Sequence, residues 1–147
     1  MTQQVFGAGK TAEQPKRPVF EAMKRGATGH CPRCGSGKLF KGYVKTVDSC
    51  AVCSEDISHH RADDLPAYLV VLITGHIVVG SFMAFEAVST LSMLQHMAIW
   101  IPLTIVSAGL LLRPVKGAVV GLQWALYMHG FGGEDDAPED VPGEYRA

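Results

Sequence analysis

The chain has no cysteine outside residues 31–53, where all four lie. That excludes a disulfide framework spread through the fold and gathers the thiol chemistry into one short module. Its start, MTQQVFGAGKTAEQPKRP, has no apolar core, so a cleaved secretory signal is not expected. No internal repeat is visible. There is no phosphate-binding glycine loop, no nucleophile–base pair and no pair of carboxylates set for acid–base work, so the chain is not expected to be an enzyme. Net charge is nearly absent as well, −1 over 147 residues. From Leu65 to Phe85 there is no formally charged side chain at all.

What charge there is sits at the ends. Residues 1–45 hold nine Lys/Arg against two Glu, and residues 134–147 hold six Asp/Glu against one Arg. Polar ends around an apolar centre are the layout of a membrane protein. Residues 1–17 read as a disordered arm and 132–147 as a disordered acidic tail. Pro18–Gly26 suits a short helix, with proline at its first position and glycine as its stop.

The cysteines follow the pattern Cys31-x-x-Cys34, fifteen residues, Cys50-x-x-Cys53. Two such pairs supply four thiolates to one tetrahedral metal, with Zn–S near ~2.3 Å. Gly35 and Gly37 allow the tight backbone that turns N–H groups toward sulfur. The stretch LFKGYVKTV between the pairs suits a short hairpin bent at Lys41-Gly42. So small a module needs its metal to fold. Structural zinc is the expected cofactor. Two disulfides, or an iron site of rubredoxin type, would use the same four residues.

Leu65–Phe85 is twenty-one residues long, and a membrane span needs roughly 20. Asp63 and Asp64 precede it as an acidic helix entry, with Asp64 as the cap. A second span is expected over Leu91–Leu112, ended by Arg113. The link Glu86–Thr90 has no Lys or Arg, whereas the outer flanks do. Both termini are therefore expected in the cytoplasm, where a reducing environment favours metal over disulfides. Over Pro114–Phe131 the spacing of Val115, Val119, Leu122 and Leu126 suggests an amphipathic helix lying in the interface, with a third span as the competitor.

The run KRGATGHCPRCGSGKLFKGYVK, then CAVC, then RADDLPAYLVVLITGHIVV, then LLRPVKGAVVGLQWA resembles the bacterial membrane family known as domain of unknown function 983. The likeness covers Lys24 to Ala125. One departure is Ser54, where the second cysteine pair of such proteins usually continues with glycine. The resemblance implies a two-span inner-membrane protein with a cytoplasmic zinc ribbon, and points toward biogenesis of haem–copper cytochrome oxidase or an accessory subunit of it.

The expected fold is thus a membrane α-helical hairpin with a small N-terminal four-cysteine zinc ribbon and a C-terminal amphipathic helix. Its parts would be an arm (1–17), a helix and ribbon (18–62), the hairpin with its interfacial helix (63–131) and a tail (132–147). The metal residues are Cys31, Cys34, Cys50 and Cys53. His76, eleven positions after Leu65, would lie about 16 Å along a helix, near mid-membrane. An intramembrane ionisable residue is a functional candidate, although a helix–helix hydrogen bond would also account for it. Asp63, Asp64, Arg113 and Lys116 are candidates for contact with lipid or a partner. His59 and His60 adjoin those aspartates and could add metal ligands, but a polar neck is the plainer reading. Glu86 and His96 flank the hairpin tip. Small residues Gly80, Ala84, Thr104 and Ala108 have the spacing that seats one helix on another.

Arg33, Lys38, Lys41 and Lys45, with Phe40 and Tyr43 between them, have the composition of a nucleic-acid surface. Beside a membrane, anionic headgroups account for the same charges, and nucleic acid is not the expected partner. The reading is a non-enzymatic inner-membrane accessory or assembly protein, docking a larger membrane complex such as a respiratory oxidase. The alternatives are an oligomeric membrane enzyme or transport component using His76, and a membrane-tethered nucleic-acid-binding or regulatory ribbon.

Overall fold

The computed structural model describes residues 15–131. The arm over 1–14 and the acidic tail over 132–147 lie outside the described residues. Three helices follow in order: α1 (Val19–Ala27), α2 (Asp64–Glu86) and α3 (Met93–Ala125). The four-cysteine module occupies the chain between α1 and α2.

Helix α1 starts from Pro18 at its N-cap. It stops at Gly29, not at Gly26. Gly29 has φ +82°, and its N–H and that of His30 turn back to the carbonyls of Gly26 and Arg25 at 2.8 and 2.9 Å. This left-handed closure favours glycine because it carries no Cβ. Gly26 has another use, described below.

Helices α2 and α3 form an antiparallel pair, and both are long and apolar enough to cross a membrane. Almost none of their most apolar residues are buried within the chain. The core helix of a soluble protein would have the opposite character, and monomers in water rarely expose so large an apolar surface. Val70, Thr74 and Phe82 of α2 turn toward α3, where Phe82 and Phe85 set their rings edge-on against His96 and Trp100 at centroid separations of 5.4–6.2 Å. The seam is therefore not the expected one: a side chain at Gly80 would meet nothing within 4 Å, and Ala84 is exposed.

Helix α3 runs 33 residues without a break, through Pro102 and Pro114. The separate interfacial helix expected after Arg113 does not form, nor does a third span. A proline inside a helix costs about 3 kcal/mol, mainly for one lost hydrogen bond and a clash. Burial of Val119, Val120 and Trp124 on the far side of Pro114 stabilises the continued helix by roughly 1.5–3 kcal/mol for each large side chain, which offsets that cost. The helix ends beyond Leu126, where Tyr127 takes φ +55° and the N–H groups of Tyr127 and Met128 return to the carbonyls of Trp124 and Gln123.

The last three turns of α3 complete the core of the cysteine module. Leu39, Phe40, Ile57 and Ala62 pack with Cys31 and Cys50 against Val119 and Val120, with Leu69 of α2 at the edge. A second cluster joins Ala22 of α1 to Trp124, Ala125 and Phe131. Helix α1 lies across α3 backbone to backbone. A Cβ added to Gly26 would collide with the Gly117 carbonyl, and one added to Gly121 with the Ala22 carbonyl. The spacings Ala22-x-x-x-Gly26 and Gly117-x-x-x-Gly121 thus face one another. Residues 15–17, assigned to the arm from sequence, are docked on the end of α3. The Arg17 guanidinium stands over the Trp124 and Tyr127 rings at 4.2 and 3.9 Å, and the Tyr127 hydroxyl donates to the Pro15 carbonyl at 2.5 Å.

Candidate metal centre

Each cysteine pair sits in a tight turn. The Gly35 N–H reaches the Cys31 carbonyl at 2.9 Å, and the Ser54 N–H reaches the Cys50 carbonyl at the same distance. Gly35 and Ser54 are the left-handed residues of the two turns, with φ of +70° and +55°. Serine therefore adopts the conformation that glycine would take, and the turn keeps its shape. Gly37 leaves room for metal chemistry, since a Cβ there would collide with the Cys50 sulfur. Antiparallel bridges His30–Lys38, Phe40–Thr46 and Ser49–Asp56 hold the chain around and between the pairs, and the expected bend closes from Lys41 to Lys45 at 2.8 Å.

The four sulfurs lie within 4.8 Å of one another. Cys31 and Cys53 are 3.7 Å apart, Cys34 and Cys50 3.8 Å apart. A tetrahedron with metal–sulfur bonds of ~2.3 Å has edges of about 3.8 Å, so the donor set fits one tetrahedral metal ion. Among the described residues no other group of histidine, cysteine or acidic side chains is so placed.

The protein prepares the four thiols unequally. Burial pushes Cys31 up to about 12 and also raises Cys53. The backbone N–H groups of Gly37 and Ser36 pull Cys34 down to about 6. For Cys50 burial is the largest single influence and acts upward, but the N–H groups of Cys53 and Val52 together outweigh it and lower the thiol. The N–H groups favour thiolate, and a cation at the centre would offset the burial penalty on the rest.

Side chains from both flanks brace the turns. Arg25 of α1 donates to the Arg33 carbonyl at 3.1 Å and pairs with Glu21 at 2.7 Å. Arg33, in the first pair, bridges to Glu55, just past the second, at 2.8 Å. The other Glu55 oxygen accepts the Trp124 indole N–H at 2.6 Å. Gln123, buried, exchanges two hydrogen bonds with the Arg61 backbone at 3.2 and 3.3 Å, as a neighbouring strand would. Arg25, Glu55, Gln123 and Trp124 were not singled out from sequence. A lone glutamate or tryptophan carries no pattern until the chain is folded.

The remaining candidates separate. Asp63 and Lys116 pair at 3.7 Å. Asp63, not Asp64, is the N-cap of α2, without a side-chain cap bond, and Asp64 is exposed in the first turn. Arg113 stands 5.3 Å over the Phe40 ring. His60 bonds Thr46 and the Ile57 carbonyl, while His59 faces Asp56 and Phe131, so the neck histidines hold structure. His96 is near Ser89, Phe82 and Phe85. His76 points away from α3, its Nδ1 2.8 Å from the Leu72 carbonyl. A carbonyl only accepts, so Nδ1 carries a proton and donates it to Leu72, which leaves Nε2 facing outward without a partner among the described residues.

A family model described as "Protein of unknown function (DUF983)" matches residues 40–124, more than half of the chain. The chain belongs to this family. The matched region takes in Cys50 and Cys53, both apolar helices and the Gly117–Gly121 contact. Cys31 and Cys34 precede it. No curated protein and no solved structure matches the chain.

Proposed function

We propose that this DUF983 protein is a non-enzymatic accessory or assembly protein of the bacterial inner membrane. Its cysteine module is a structural zinc head on the cytoplasmic side, and its two apolar helices span the bilayer and dock a larger membrane complex. A centre closed by four thiolates leaves no open position for substrate, so the metal organises the head. The described ends, joined by the Tyr127–Pro15 hydrogen bond, lie on the same side as the basic flanks, which supports both termini being cytoplasmic.

The observation that carries the reading is an imbalance. The head packs its core onto α3, and α1 lies on α3 backbone to backbone, whereas the outer faces of α2 and α3 are apolar and uncovered. His76 sits on that uncovered face, in a shallow groove with Val71, Leu72, Gly75, Val79 and Gly80. Lipid offers its ring no donor, whereas a partner helix can. The haem–copper oxidase is the partner that the family resemblance suggests.

Purification of the tagged chain in mild detergent tests this. Co-elution of oxidase subunits, lost in His76→Leu, is the expected result. A lone homodimer retaining full respiratory function on deletion would overturn it.

A further inference from the structure

A second cleft, of about 360 Å³, opens between the end of α1, the Lys38–Gly42 stretch and α3. Thr28, His30, Lys38, Lys41 and Arg113 line it over a floor of Phe40, and among the described residues no acidic side chain does. Of its three cations, Lys41 is paired with Asp48 at 2.9 Å. Among the described residues Lys38 and Arg113 have no carboxylate partner, and Arg113 is held in place over Phe40.

The cleft's height in the molecule identifies its ligand. Arg113 is the first charge after the apolar run of α3. The Tyr43 hydroxyl bonds the Gly109 carbonyl, one turn farther into that run, so the Lys41–Lys45 bend rests against apolar helix. Tyr43 itself is half exposed, as aromatic residues are at a bilayer interface. A cationic, phenyl-floored cleft at this level meets the phosphates of the near leaflet.

We propose that this cleft is a binding site for the headgroup phosphate of one anionic phospholipid, with Lys38 and Arg113 as its cationic ligands. The proposal rests on the membrane reading above.

Native mass spectrometry of the full chain, extracted from bilayers of phosphatidylethanolamine, phosphatidylcholine and phosphatidylglycerol, tests it. The wild type retains one phosphatidylglycerol. Lys38→Gln with Arg113→Gln reduces retention roughly tenfold or more, as loss of two interfacial cations at about 1 kcal/mol each implies. Lys24→Gln with Lys45→Gln, which removes the same charge outside the cleft, retains it. Equal loss in both pairs, equal retention of phosphatidylcholine, or displacement of the lipid by millimolar inorganic phosphate or by an RNA oligonucleotide would each overturn the proposal. Metal content at the wild-type level certifies the fold. Should the double variant lose metal, Lys38→Gln alone, at an exposed position, carries the same test. Failure of every variant and the wild type to float with vesicles would instead overturn the membrane reading.

Discussion

Gly26 and Gly117 meet with the backbone of one against the backbone of the other, and neither can carry a side chain without moving a helix. Even alanine is too large, because the opposing atoms are carbonyls and cannot swing aside. Gly117→Ala should destabilise the head by about 1–3 kcal/mol, and Gly117→Leu should release it from α3. Limited proteolysis between residues 30 and 60 in detergent would show the release as new cleavage. Unchanged protection in Gly117→Leu would mean that the contact is dispensable.

Ser54 holds a left-handed conformation, at φ +55°, that costs an L-residue of order 1 kcal/mol and glycine almost nothing. Ser54→Gly is expected to raise stability by about 1 kcal/mol. The measurement is the thermal midpoint of the metal-loaded protein, with Ser54→Val, whose branched side chain tolerates this region poorly, moving it the other way.

Metal binding should release protons. With Cys31 pushed up to about 12 and Cys53 raised by burial, both are thiols at neutral pH. Cys34, pulled down to about 6, is already thiolate at pH 7 and takes up its proton only as pH falls through about 6. At least two protons should therefore appear per metal bound at pH 7, and affinity should fall with pH, more steeply below about 6. Titration calorimetry in buffers of different ionisation enthalpy counts them. One zinc per chain is expected by metal analysis, and Cys→Ser at any of the four positions should abolish it.

Glu55 joins the two cysteine turns to α3 through Arg33 and Trp124. A hydrogen bond from a buried indole to a carboxylate is worth about 1.5–3 kcal/mol. Glu55→Ala and Trp124→Phe should each destabilise, and a double-mutant cycle on thermal midpoints should give a coupling of about 1–2 kcal/mol. Additive effects would show that the two act separately.

Among the described residues His76 bonds only its own helix. His76→Leu should leave metal content unchanged and stability within about 0.5 kcal/mol, as at other surface positions, while weakening capture of the proposed partner. A lowered thermal midpoint would assign His76 to the chain's own packing.

The cysteine spacing and the two apolar stretches were legible in sequence because each is a one-dimensional pattern: four like ligands, and length without charge. The join between head and helices was not. Reading Val115, Val119, Leu122 and Leu126 as the apolar side located a helix after Arg113, but its buried face centres on Gly117, Val120, Gly121 and Trp124. Glycine adds nothing to a hydrophobic pattern, so a contact made by absent side chains is invisible to one. Pro114 looked like a boundary because the burial that offsets its cost comes from residues far earlier in the chain, between Ala22 and Ala62. Gln123 gives no sequence signal either, because its partner is the backbone of Arg61.

Helix α3 is continuous from its Ser92 cap to the turn at Tyr127, through Pro102 and Pro114. At about 1.5 Å per residue its 33 residues make a rod of about 50 Å. It acts as a lever: a lean of ten degrees at the far end displaces the cysteine head by roughly 9 Å. Whatever leans on the rod at one end therefore moves the head at the other, less whatever bending the turns at Pro102 and Pro114 absorb.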